Sequence, residues 1–174
     1  RTAGFNVVDM GQIKESSRFT TTLLMLVGGC PGSAAGGIKT TTLAVLVMTV
    51  VAMCKGRQET VIFSRTIPNT IVRESQVIFL LALALVIVAY GTLLCTEYPQ
   101  KTDDAAKLLF ETVSAAATSG LSINHTPSLS TAGRLVIILC MYLGRLGPLA
   151  IALMIGTRDE SHRIRYPEEE IVVG

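Results

Sequence analysis

The chain has 174 residues, 49% of them hydrophobic and only 16% charged, with a mean hydropathy of +0.52 and a formal net charge of +2. That balance excludes an ordinary soluble domain and points to a lipid bilayer. The charge excess is too small for nucleic-acid binding, and the basic residues flank apolar runs without the interleaved aromatics of a strand-binding groove.

From the start, Arg1 leads directly into a polar, glycine-containing segment with no initiator methionine or signal peptide, so further chain is expected ahead of it. Residues 19–54 are then apolar. As one helix they would measure roughly 54 Å, which overshoots a hydrocarbon core of about 30 Å. The span must be broken, and the break falls in GGCPGSAAGGIKTTT, residues 28–42, where Pro31 and the glycines disfavour helix. A phosphate-cradling loop is the first alternative, because Gly32 and Gly37 have its spacing. Ile38 then separates Gly37 from Lys39, which puts the lysine in the wrong position. A flexible small-residue linker is the second alternative.

Residues 55–74 carry Lys55, Arg57, Arg65 and Arg73, which places this connection in the cytoplasm. Residues 76–95 are twenty uncharged residues, a transmembrane helix by length. The next loop sets Lys101 against Glu97, Asp103 and Asp104, as expected on the outer side. Residues 105–117 then read as a re-entrant half-helix, capped by Asp103 or Asp104. A last span, residues 135–156, has Arg145 near its middle and Pro148 just after. A charge there costs about 2.5–3.5 kcal/mol on insertion scales, so Arg145 should face protein or water. Arg158, Arg163 and Arg165 put the following tail in the cytoplasm, and Glu168, Glu169 and Glu170 read as a solvated end. The fold class is therefore an all-α integral membrane protein.

An ungapped internal repeat appears at an offset of 116 residues, with Thr2-Ala3-Gly4-Phe5 over Thr118-Ser119-Gly120-Leu121. Val7 meets Ile123, Arg18 meets Arg134, Leu23 meets Leu139, Met25 meets Met141 and Gly28 meets Gly144. A half-helix followed by Thr-x-Gly can build a cation filter. Glycine permits unusual torsions, carbonyl oxygens turn inward to replace a hydration shell, and the negative helix end faces the ion. An ordinary extracellular turn is the alternative.

Five stretches, RTAGFN, GGCPGSAAGGIKTTT, TSGLS, LGRLGP and YPEEEIVVG, together resemble the membrane subunit of the Trk/Ktr potassium-uptake family, the Ktr type in particular. The resemblance covers essentially the whole chain. It implies a potassium-channel-like fold of four linked units, each a span, a pore half-helix, a filter and a second span. On that pattern residues 1–55 end the third unit, 56–75 are the cytoplasmic connection, 76–157 form the fourth unit and 158–174 are the cytoplasmic tail. The chain is then the C-terminal portion of a potassium-translocating subunit, with sodium dependence expected of a Ktr-like protein.

The same resemblance implies an ion filter at Thr2, Ala3, Gly4, Phe5, Thr118, Ser119, Gly120 and Leu121. It also implies a gating loop at Gly28, Gly29, Pro31, Gly32, Ser33, Gly36, Gly37 and Lys39, lying beneath that filter. Ala34 stands where relatives often have threonine. Arg145, opposite Gly29 in the repeat, is expected to donate to loop carbonyls and to set a positive barrier. Lys39 either contributes to that barrier or reaches toward cytoplasmic water. Transported potassium apart, no cofactor is expected in this chain, and no chemistry is catalysed. The implied partners are a second copy in a homodimer, a cytosolic nucleotide-binding regulatory ring contacting the tail, and the bilayer of a bacterial plasma membrane. A secondary transporter is the rival reading, since broken helices also build carrier sites, but it calls for side-chain ligands that the apolar spans do not supply.

Other residues have plainer readings. Glu111 either supports the filter through hydrogen bonds or is a partly solvated helix charge. His125 and His162 lie in polar loops, Asn124-His125-Thr126 matches a common glycosylation pattern, and Cys30, Cys54, Cys95 and Cys140 read as packing residues.

Overall fold

The structure is a computed structural model that describes residues 3–7, 9–33, 36–57, 59–62, 65–97 and 102–147. Thr2, Ala34, Lys101, Pro148, His162, the end of the last expected span and the tail 158–174 lie outside the described residues. Among the described residues five α-helices carry the fold: α1 (Glu15–Leu26), α2 (Thr40–Cys54), α3 (Asn69–Glu97), α4 (Thr102–Ala116) and α5 (Thr131–Leu146). A two-stranded antiparallel hairpin, β1 (Val61–Ile62) with β2 (Arg65–Thr66), interrupts the expected all-α pattern inside the connection. The β-branched run Thr60-Val61-Ile62 favours extended backbone, and the hairpin is short enough to escape a reading by periodicity.

The long apolar region is broken as its length requires. Helix α1 has 12 residues and α2 has 15, so at about 1.5 Å per residue neither alone crosses about 30 Å of hydrocarbon. Three consecutive threonines do not stop α1, because Thr20, Thr21 and Thr22 donate their hydroxyls to the carbonyls of Ser16, Ser17 and Arg18 one turn back. Val27, extended, ends the helix and bridges in parallel to Ile38. Gly28 N–H donates to Ile38 (2.8 Å) and Ile38 N–H to Leu26 (3.3 Å). The chain therefore leaves α1, makes an excursion and returns beside its exit point before α2 begins.

Helix α3 is 29 residues long, about 44 Å, and has the length and composition to cross a membrane. It starts well before the expected span, because polar residues do not end a helix and Pro68 offers its carbonyl to Ile71 and Val72. Helix α4 begins at Thr102, so positions Asp103 and Asp104 fall inside its first turn and not at the cap. Its last two turns are wholly buried, from Glu111 to Ala116, between α1, α3 and α5. Leu108, Phe110, Val113 and Ala115 of α4 pack with Leu93 and Ala89 of α3, Met25 of α1, and Ile137 and Cys140 of α5. Cys140 is the described cysteine that packs, whereas Cys30, Cys54 and Cys95 are exposed, which corrects the packing reading for those three.

Two glycines of α5 set its packing distance. A side chain on Gly144 would run into the Ala116 carbonyl at the end of α4, and one on Gly133 would strike the Glu97 carboxylate at the end of α3. Small residues at such crossings let helix backbones approach closely. The 116-residue offset recurs in this framework. Helices α1 and α5 start at 15 and 131, and 3-10 turns lie at Met10–Gln12 and Thr126–Ser128. Gly28 and Gly144 are both in backbone crossings too close for a Cβ.

Candidate functional site

The end of α4 builds the first half of the site. Thr118 N–H donates to Ala115 (3.1 Å) and Ser119 N–H to Ser114 (2.9 Å), which is the reciprocal pair of a Schellman motif with Thr118 at the left-handed position. Thr118 has φ 49°, a region where a β-branched residue is an outlier. Gly120 follows at φ +80°. The Ser114 hydroxyl then donates to the Leu121 carbonyl at 2.5 Å, so that oxygen is engaged, and the Leu121 side chain is buried. Leu121 thus anchors the segment, with residues 118–120 at its turn.

The second half comes from the chain start. Gly4 also has φ +80°, the torsion of its repeat partner. The two glycines meet: a Cβ on Gly120 would lie 2.9 Å from Gly4 Cα, and one on Gly4 would lie 3.7 Å from the Ser119 carbonyl oxygen. The structure therefore brings together Gly4, Ser119 and Gly120 from segments more than a hundred residues apart. Ala3, Gly4 and Phe5 are exposed, and Phe5 remains 76% so where Leu121 is buried.

Glu111, in the buried part of α4, is 5% exposed and holds the chain that leaves the Gly120 turn. Its Oε1 accepts from the Ser122 hydroxyl (2.6 Å), Ile123 N–H (3.0 Å) and His125 N–H (3.4 Å), and its Oε2 from the Thr126 hydroxyl (2.9 Å). A buried carboxylate so surrounded is a structural hub, and the partly solvated alternative does not apply. Sequence reading missed a second carboxylate. Glu97 accepts from the Ser130 backbone (3.1 Å) and hydroxyl (2.6 Å), while that hydroxyl caps α5 by accepting from Gly133 N–H at 3.1 Å. Ser130 ahead of an apolar run is a legible helix start. Its partner, 33 residues earlier, carries no local signal.

The glycine-rich loop packs against the end of α4 at Ala117 and Thr118. Cys30-Pro31-Gly32-Ser33 is a type II turn, with Gly32 at φ +84° and Ser33 N–H donating to Cys30 at 3.0 Å. Lys39 Nζ donates to the Ser33 carbonyl (3.1 Å), so the lysine ties the loop to itself. Gly36 N–H donates to Thr118 Oγ1 at 2.9 Å, and Gly37, at φ +73°, lies against Ala117. Gly28 crosses Gly36 with no space for a side chain. Gly28 is buried, Gly29, Gly36, Gly37 and Lys39 are half-buried, and Pro31, Gly32 and Ser33 are exposed. An apolar crevice lined by Leu26, Ile38, Ala82, Leu85, Val86 and Gly144 lies behind the returning limb. Arg145 is in the last turn of α5, exposed, one residue beyond the contact of Gly144 with Ala116.

The chain whose residues build this site is similar in sequence to known proteins. Residues 1–164 match the cation transport protein family TrkH. The chain is 38% identical over its full length to the Ktr system potassium uptake protein B of Bacillus subtilis, of which it spans 38%. It is 39% identical to the potassium/sodium uptake protein NtpJ of Enterococcus hirae, again over the whole chain and 39% of that protein. The Ktr system potassium uptake protein B of Vibrio alginolyticus is 37% identical over the whole chain. The chain thus spans well under half the length of these relatives. The family is one of transporters and not of enzymes, as the sequence implied. With nine-tenths of its length matched and the Trk/Ktr motifs in order, the chain belongs to the TrkH cation transport protein family.

Proposed function

We propose that the chain is part of a potassium-uptake membrane subunit, in which backbone oxygens of residues 3–4 and 118–120 take the place of a potassium ion's water. The observation that carries this reading is the meeting of Gly4 and Gly120, at the same φ of +80°, beyond the C-terminal end of a buried half-helix. Carbonyls at that end leave a partial negative charge where a cation passes. Thr2 completes the first segment by the repeat, and Phe5 and Leu121 flank the two turns. Ions run down their electrochemical gradient, and the names of the relatives, potassium uptake and potassium/sodium uptake, favour this ion class.

The loop of Gly28, Gly29, Pro31, Gly32, Ser33, Gly36, Gly37 and Lys39 is the gate on this reading. Irregular backbone is tolerated at membrane depth where it lines a water-filled path, and small residues let it withdraw at low steric cost. Arg145 adds positive charge below the filter, facing units that complete the pore. The naming of relatives as parts of a Ktr system supports a separate regulatory partner, to which any nucleotide effect belongs. Two copies of the complete subunit assemble in a bacterial plasma membrane, with the tail in the cytoplasm.

Growth of a potassium-uptake-deficient strain on low-potassium medium, with the full-length protein supplied, tests the function. Rescue that depends on potassium, and that strengthens with sodium present, is the expected result. Failure of a membrane-inserted, correctly folded protein to restore growth at any sodium level would reject it.

A further inference from the structure

Thr118 occupies a position where the fold itself prefers glycine. The end of α2 shows the comparison: Gly56 at φ +68° donates to Met53, and Arg57 donates to Ala52, the same Schellman pair that Thr118 and Ser119 make at the end of α4. In that conformation glycine has no steric penalty, whereas a non-glycine residue held in the left-handed region is strained. A β-branched side chain kept there has to supply something that glycine lacks. In this structure it supplies an acceptor: Oγ1 takes the Gly36 N–H at 2.9 Å, across 82 residues of sequence.

The contact is built tightly from the loop side as well. A Cβ on Gly36 would run into Thr118 Oγ1 and would lie 3.0 Å from the Ala117 carbonyl oxygen and 3.1 Å from Thr118 Cγ2. Only glycine brings its amide this close. The limb that carries Gly36 is the one that returns to α1 through the Val27–Ile38 bridge, so its position also sets where α2 begins. Withdrawal of the loop from beneath the turn at 118–120 must break this hydrogen bond, and the hydroxyl that is released lies next to the filter backbone.

We infer that the Thr118 hydroxyl is a latch: by accepting the Gly36 amide it holds the glycine-rich loop shut, and its release couples loop opening to the adjacent filter turn. This rests on the proposed reading of the loop as gate. It makes Thr118 a positioning residue for the gate, in addition to any part its carbonyl plays in ion passage.

The test uses the full-length protein in lipid vesicles, with a spin label on Cys30 in the loop and the other exposed cysteines replaced by serine. Thr118→Val, which keeps the shape and loses the acceptor, should make the label more mobile. Thr118→Ser, which keeps the acceptor, should leave it as in the parent. Gly36→Ala approaches the same bond from the other side and should loosen the label too, while the double variant Gly36→Ala/Thr118→Val should be no looser than the looser single variant. Potassium leak without any cytosolic partner should rise in Thr118→Val by about five-fold, the scale of one ordinary hydrogen bond. A label as immobile in Thr118→Val as in the parent, or fully additive loosening in the double variant, would overturn the latch. The label reads the loop whatever ion is carried, so that failure would leave potassium uptake standing, and absence of uptake by the parent would leave the latch standing.

Discussion

Glu111 shows how much of this site rests on single side chains. Its carboxylate collects two backbone amides and two hydroxyls from residues 122–126, and so fixes the direction in which the chain leaves the Gly120 turn. Glu111→Ala would strand those donors in a buried site, at a cost of about 1–3 kcal/mol, the range for leaving a buried donor unsatisfied. We expect a clear fall in the thermal unfolding temperature in detergent together with loss of potassium uptake, and a smaller fall for Glu111→Gln, which keeps one acceptor oxygen. An unchanged unfolding temperature in Glu111→Ala would show that the hub carries no such weight. At this scale the sequence was partly legible. Thr-x-Gly was read as a filter segment, and the unusual torsions expected of its glycines are present at positions 4 and 120, both at φ +80°. The left-handed Thr118 was not readable, since β-branching argues against that conformation and the compensating bond comes from residue 36. For Glu111 the sequence left two readings open, because the partners that decide between them lie 11 to 15 positions downstream.

Among the elements, α4 and α5 depend on one crossing. Gly144 meets the Ala116 carbonyl at the very end of α4, so any side chain there pushes α5 away from the base of the turn at 118–120. Gly144→Ala should destabilise the fold by about 1–3 kcal/mol, as overpacking does. Gly91, whose Cβ would meet nothing within 4 Å, provides the comparison, and Gly91→Ala should cost nothing or stabilise α3 slightly. Equal unfolding temperatures for the two variants would contradict this packing. The broken α1–α2 region, the long apolar part of α3 and the existence of a short helix at α4 were legible, because bilayer thickness and helix rise fix what an apolar run can do. The boundaries were less so. Helix α3 extends over polar residues that hydropathy cannot assign, the hairpin at 61–66 is too short for a period, and Glu97 clamping Ser130 is a contact between helix ends.

At the level of the molecule, one duplicated plan organises the described chain. A glycine turn, a 3-10 turn, a helix start and a tight glycine crossing recur at one offset, and the two turns touch. Many apolar side chains remain exposed on this portion, among them Phe19, Leu23 and Leu24 of α1 and Leu135, Ile138 and Leu139 of α5. Lipid and, on the proposed reading, the other units of a pore are the natural cover for such faces. The repeat was legible because a fixed offset needs no three-dimensional information. That its copies meet was not, since proximity belongs to the fold.

The position of a bound ion is the most direct test of the filter. Anomalous diffraction from crystals of the complete protein grown with rubidium should show a peak bordered by backbone oxygens of residues 3–4 and 118–120, with the Gly28–Thr40 loop below it. Rubidium bound elsewhere, with the Gly4 and Gly120 turns apart from any common axis, would contradict it.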